Sequence, residues 1–139
     1  MTNASLAESY LKKAMARLSI LPILQRKKAY SDVVREAQEI VELALKGMLR
    51  QVGVEPPKWH DVGNLLVKKQ ERFQAAAAQR VARIAAASKW LRGERELSFY
   101  GDVDFIPTEE YTITEGRRAI TEARFAVATA RLVIKLGTR

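Results

Sequence analysis

Apolar positions recur at helical spacing along most of the chain. Ala7, Leu11, Ala14, Leu18 and Leu21 fall on one face of a helix predicted over residues 5–21. Pro22 should kink or end it, because proline lacks an amide donor and disfavours helix in the residue before it. The cleanest stripe comes next: Val33, Val34, Ala37, Ile40, Val41, Ala44, Leu45, Met48 and Val52. Ser31 is the expected N-cap and Gly53 the expected C′ glycine, and Pro56-Pro57 prevents continuation. At about 1.5 Å per residue this helix is roughly 30 Å long, and it is the predicted centre of the core.

Val62, Leu65 and Leu66 open a short helix that His60 or Asp61 can cap. A lone histidine at a helix start more often caps or packs than catalyses. Trp59 is a core or interface anchor. Residues 71–91 are alanine-rich and predict one helix, with Ala77, Val81, Ile84, Ser88 and Leu91 on one face. Thr112 and Glu115 match a capping box for a last helix. Its apolar face carries Gly116, Ile120, Ala123, Val127, Ala130 and Ile134. Arg117, Arg124, Arg131 and Lys135 line another face, with Arg118 close by. Such a stripe either tracks a phosphate backbone or is simply the solvated face of a basic protein.

No alternating strand pattern of useful length appears. The expected architecture is all-α: an up-and-down bundle of four long helices and one short one, in a single domain spanning 1–139. One segment breaks the period. Residues 92–104, Arg-Gly-Glu-Arg-Glu-Leu-Ser-Phe-Tyr-Gly-Asp-Val-Asp, crowd charge, aromatics and glycine together, and predict a loop held between helices, a common place for chemistry.

Composition narrows the classes. The chain has 139 residues with 47% hydrophobic and 29% charged, as in a globular domain. No apolar run approaches the roughly 20 residues of a membrane span, and no signal peptide is recognisable at the N-terminus. There are no cysteines and one histidine, which argues against disulfides, thiolate chemistry and zinc and fits a cytoplasmic protein. No metal or cofactor is called for. The net charge of +8 suits phosphates or an acidic protein. Alanine-rich helix faces and Trp59 are hard to bury in so small a bundle, so a homodimer is expected.

Three stretches carry a resemblance. The second helix with Ala37, Glu42 and Leu45 is the first. The run Pro56-Pro57-Lys58-Trp59-His60-Asp61-Val62-Gly63-Asn64-Leu65-Leu66 is the second. Arg95-x-x-x-x-Tyr100-Gly101, ahead of a capped final helix, is the third. In this order they resemble the HEPN domain, a small prokaryotic helical-bundle family. The resemblance implies nucleotide or RNA binding, a two-fold pair, and a nucleotidyltransferase-type partner of the toxin–antitoxin kind. The alternatives it leaves are a metal-independent ribonuclease toxin and a purely protein-binding scaffold. By resemblance Arg95 is the phosphate-contacting arginine. Tyr100 stands where the family's signature Arg-x4–6-His places histidine. Cleavage of RNA without a metal needs a group titrating near neutral pH; free histidine does so near 6.5, free tyrosine near 10. Little or no ribonuclease activity is therefore expected. The residues leave three roles open for Arg95 and Tyr100: catalysis; binding, by a guanidinium on phosphate and a ring under a base; or packing with a surface ion pair. The candidate nucleotide- or RNA-binding set is Arg92, Arg95, Tyr100, Gly101, Arg117, Arg124 and Arg131.

Overall fold

A computed structural model describes residues 3–58 and 61–136. Four long helices form an up-and-down bundle: α1 (Asn3–Leu18), α3 (Tyr30–Gln51), α6 (Val81–Phe99) and α8 (Ile113–Val133). Short helices occupy the connections: α2 (Leu21–Arg26), α4 (Val62–Lys68), α5 (Ala75–Ala78) and α7 (Pro107–Glu110), with a 3₁₀ turn at Gln70–Arg72. Among the described residues there is no strand, only an isolated bridge between Asp102 and Phe105.

Side-chain ties set the antiparallel order. Arg17 donates to Glu36 at 2.7 Å and Arg50 to Asn3 at 3.3 Å, so α1 and α3 run oppositely. Ser88 meets Glu42 and Arg95 meets Glu39, which lays α6 antiparallel to α3. Gln25 donates to the Ile113 carbonyl at one end and Gln74 to the Leu132 carbonyl at the other, fixing α8.

The stripe on α3 is the centre of the core, as its sequence predicts. Val33, Val34, Ala37, Ile40, Val41, Ala44, Leu45 and Met48 are all buried, with Val52 packed against them. Gly53 takes the left-handed conformation that ends the helix, φ +79°. Asp61 caps α4 by accepting from the Asn64 amide at 3.3 Å; Trp59 and His60 lie outside the described residues. The Thr112–Glu115 capping box forms as expected.

Several expectations need correction. The first helix stops at Leu18, and Pro22 sits in the first turn of a new helix, where its missing amide has no partner to lose. Ser31 does not cap α3; it is buried inside the first turn, and Ala29 takes the N-cap position without a side-chain bond. Residues 71–91 are not one helix. Phe73 turns its ring into the core from an extended backbone, and α5 is a separate turn of alanines before α6 begins. The largest correction is the segment 92–104. Helix α6 runs through Gly93 to Phe99, so only residues from Tyr100 onward form the loop. Gly93 lowers helix propensity by about 1 kcal/mol, but Leu91 and Ser98 are buried on either side of it and tertiary contacts hold the helix.

Where the loop does begin, Gly101 is essential. Its φ is +69°, and a Cβ there would collide with the Phe105 carbonyl oxygen and the Pro107 ring. Gly101→Ala should therefore lose about 1–3 kcal/mol in chemical denaturation. Gly93→Ala, which meets open space within α6, should instead gain up to about 1 kcal/mol. A gain in both would show that the loop relaxes around the added methyl.

Candidate binding cleft

The chemistry-bearing residues of α6 meet a polar strip on α3. Ser88, Arg92, Arg95 and Phe99 recur at helical spacing and face one side of α6. Opposite them, Arg35, Glu39, Glu42 and Lys46 form the strip along α3. The seam is antiparallel: the Ser88 hydroxyl donates to Glu42 at 3.3 Å, Arg95 pairs with Glu39 at 3.5 Å, and the Arg35 guanidinium lies 5.3 Å from the Phe99 ring centre. Glu39 also pairs with Arg35 at 3.8 Å, and Lys46 approaches Glu42 at 3.9 Å. Arg92 reaches Asp61 at 3.3 Å, tying the start of α4 to the same place.

These groups line a cleft of about 290 Å³, walled by Gln38, Glu39, Glu42 and Lys46 from α3, Arg92 and Arg95 from α6, and Lys58 and Val62 from the intervening segment. Four cations face two carboxylates here. Gln38, Glu39 and Lys46 did not stand out in the sequence, and Lys58 was noted only within the Pro56–Leu66 run. Glu39 and Lys46 carried a signal in the polar spacing 35, 39, 42, 46 beside the apolar stripe on α3; Gln38 and Lys58 carried none.

Tyr100 is not among the cleft's lining residues. Once Arg95 is helical, five residues at about 100° each put the Tyr100 side chain roughly 140° around the axis. The ring is 74% exposed and packs edge-on against Phe99, centroids 4.8 Å apart. Gly101 follows it as the turn residue. Arg95 and Tyr100 thus do not converge within one chain.

Arg117 and Arg124 belong elsewhere. They edge a groove of about 450 Å³ between α2 and α8, with Arg26 and an apolar floor of Pro22, Ile113 and Ile120. Arg131 is exposed further along α8. None of these three α8 arginines pairs with a carboxylate among the described residues. Arg118 is set differently, 3.8 Å from the centre of the Trp90 ring.

The large exposed apolar side chains gather at one end of the bundle rather than along the alanine-rich helix. Ile20, Ile23, Phe99, Tyr100, Val103, Ile106 and Ile113 all lie where α1 and α6 end and α2, α7 and α8 begin. Beneath them Tyr111 is buried, donates to Glu94 at 2.5 Å and packs edge-on against Phe105. Burial first, then the Glu94 carboxylate, pushes its phenol well above the ordinary tyrosine range, so it is a fixed donor.

A model of the HEPN domain matches residues 7–139. The chain belongs to the HEPN family. No curated protein and no solved structure matches it. HEPN membership is consistent with a nucleotide- or RNA-related function, and no helix among the described residues is long and apolar enough to cross a membrane.

In this HEPN chain Glu42 is the perturbed group of the cleft. Burial raises its carboxyl above the ordinary 4.5, outweighing the opposite pull of Lys46, Arg92 and the Ser88 hydroxyl, while Glu39 adds to the rise. A carboxyl raised on folding binds its proton more tightly in the folded state. Its contribution to stability is full below the unfolded value and is lost as pH rises through the folded one. Glu42→Gln carries no such loss. Its melting temperature relative to the parent should climb as the pH rises from the ordinary carboxyl value of 4.5 through the raised folded one. A difference that stays flat or falls would mean that the neighbouring cations compensate the buried charge in full.

Proposed function

We propose that this HEPN chain binds RNA or a nucleotide at the cleft between α3 and α6, with a phosphate on Arg92 and Arg95. The supporting observation is how loosely those arginines are held. Each is partly exposed and tied to a carboxylate by one contact, of 3.3 Å for Arg92 and 3.5 Å for Arg95. Exposed pairs of this kind are worth about 0–1 kcal/mol. A phosphate takes a guanidinium through two parallel bonds and competes well against that. Lys46 and Lys58 add charge at the walls, and Arg117, Arg124 and Arg131 extend the positive surface along α8. Tyr100 and Gly101 contribute an exposed ring and its turn, to which a base of a longer strand can stack.

The experiment is a salt titration of labelled single-stranded RNA. Affinity should fall steeply between about 50 and 200 mM salt. Arg95→Ala should weaken binding, and Arg124→Ala with Arg131→Ala should flatten the slope by about one per lost contact. Absence of binding at low salt would sink the reading; a double variant that matches the parent would reduce the α8 stripe to a solvated face. The RNA should be recovered intact with EDTA present, because Tyr100 stands where the Arg-x4–6-His signature has histidine, and free tyrosine titrates near 10. Robust EDTA-resistant cutting would instead support the ribonuclease reading.

The chain is also proposed to pair with a second copy through its apolar end. That end carries both signs of charge: Arg26, Lys27 and Lys28 are exposed at the end of α2 and just after it, and Asp102, Asp104, Glu109 and Glu110 before and within α7. Family membership alone supports a nucleotidyltransferase-type partner in a toxin–antitoxin setting. Light scattering on a sizing column should give a dimer mass alone and a larger complex once such a protein is added. A monomer at tens of micromolar would remove the pair; unchanged elution would remove the partner.

A further inference from the structure

The groove between α2 and α8 is cationic at its edges, apolar along its floor, and held open by its own walls. Gln25 donates to the Ile113 carbonyl at 3.4 Å, and its amide sits where Gly116 has no side chain, which fixes α2 against α8. Arg26, Arg117 and Arg124 edge the groove over Pro22, Ile113 and Ile120, and its lining holds neither a carboxylate nor an aromatic ring. None of the three arginines is in an ion pair among the described residues. A nucleic-acid base finds no ring to stack on there. Aliphatic side chains flanked by carboxylates suit both the floor and the edges.

The chain carries such a segment itself. The turn Asp102–Phe105 is closed by two backbone bonds of 2.9 Å, and the Phe105 ring packs against Tyr111. Val103, at the tip, is 88% exposed, and Ile106, three residues on, is exposed too. Asp104, Glu109 and Glu110 are exposed along the same segment, and none of them pairs with a cation among the described residues. A turn that is already fixed loses little freedom on docking. One chain thus presents an acidic, apolar-tipped segment and a basic, apolar-floored groove, neither of which satisfies the other within that chain.

We propose that the groove takes residues 102–110 of a second copy of this chain, reciprocally about a two-fold axis, with Val103 on the apolar floor and Asp104 and Glu109 on Arg117 and Arg124. This rests on the reading that the chain pairs through its apolar end, and it names the surfaces that meet. In an unpaired chain the same arginines are open to RNA, so the pair and the α8 stripe draw on one set of charges.

The test is charge reversal, read by light scattering on a sizing column at tens of micromolar. Arg117→Glu with Arg124→Glu places carboxylates on both sides of the contact; Asp104→Lys with Glu109→Lys places cations on both. Each double variant alone should elute as a monomer, and their equimolar mixture as a dimer, because every groove then meets a segment of opposite charge. All four side chains are exposed, so both variants should melt near the parent's temperature. Val103→Ser takes away the apolar tip without touching charge and should weaken the dimer about tenfold. Charge variants that dimerise like the parent, a mixture that stays monomeric, or a Val103→Ser dimer as tight as the parent's overturns this interface and leaves pairing itself standing. A monomeric parent overturns both.

Discussion

A helix packed on several sides has only a narrow strip left for polar residues, and α3 directs its strip at α6. Everything distinctive about this molecule follows from that constraint. The apolar stripe of α3 holds α1 and α8, and the remaining polar line at 35, 39, 42 and 46 must find partners on whatever covers it. Helix α6 supplies them at the matching antiparallel register, Ser88 against Glu42, Arg95 against Glu39, Phe99 against Arg35. The seam that closes the bundle is the same seam that lines the cleft. Its members are partly buried charges, for which packing and function cannot be separated cleanly.

The core was legible because burial follows a 3.6-residue period that sequence displays directly. The stripe on α3, the face of α6 from Val81 to Leu91, and the apolar face of α8 are buried as their spacing implies. The capping box at Thr112 and the glycine at 53 were equally plain, since both are local chemistry. What sequence could not display was tertiary rescue. Residues 92–99 look broken because Gly93 and the crowded charges dilute the period, yet the partners on α3 keep them helical. Phe73 shows the opposite effect: an alanine-rich run with high helix propensity is interrupted because one ring gains more by entering the core.

The candidate site was half legible for the same reason. Arg92 and Arg95 stood out through the crowded segment 92–104 and the family resemblance, and both line one cleft, but the groups that complete it come from a helix some fifty residues earlier, and no linear pattern links Gln38 to Arg92. The pairing of Arg95 with Tyr100 was drawn for a loop. In a helix the same five-residue step sends the two side chains apart, and the arginines of α8 fall into a separate groove. Membership of the HEPN family and the local geometry therefore address different questions: the first concerns the class of ligand, the second which atoms of this chain can meet it.

Glu39 touches two guanidiniums, Arg35 on its own helix and Arg95 across the seam. A carboxylate shared in this way has a standby counter-ion. If an incoming anion draws Arg95 away, Glu39 keeps its neutralisation through Arg35, which is already positioned by the Phe99 ring. Arg95 is thus an exchangeable partner rather than a fixed one, and the bundle can surrender it to a ligand without stranding a negative charge at the helix–helix contact.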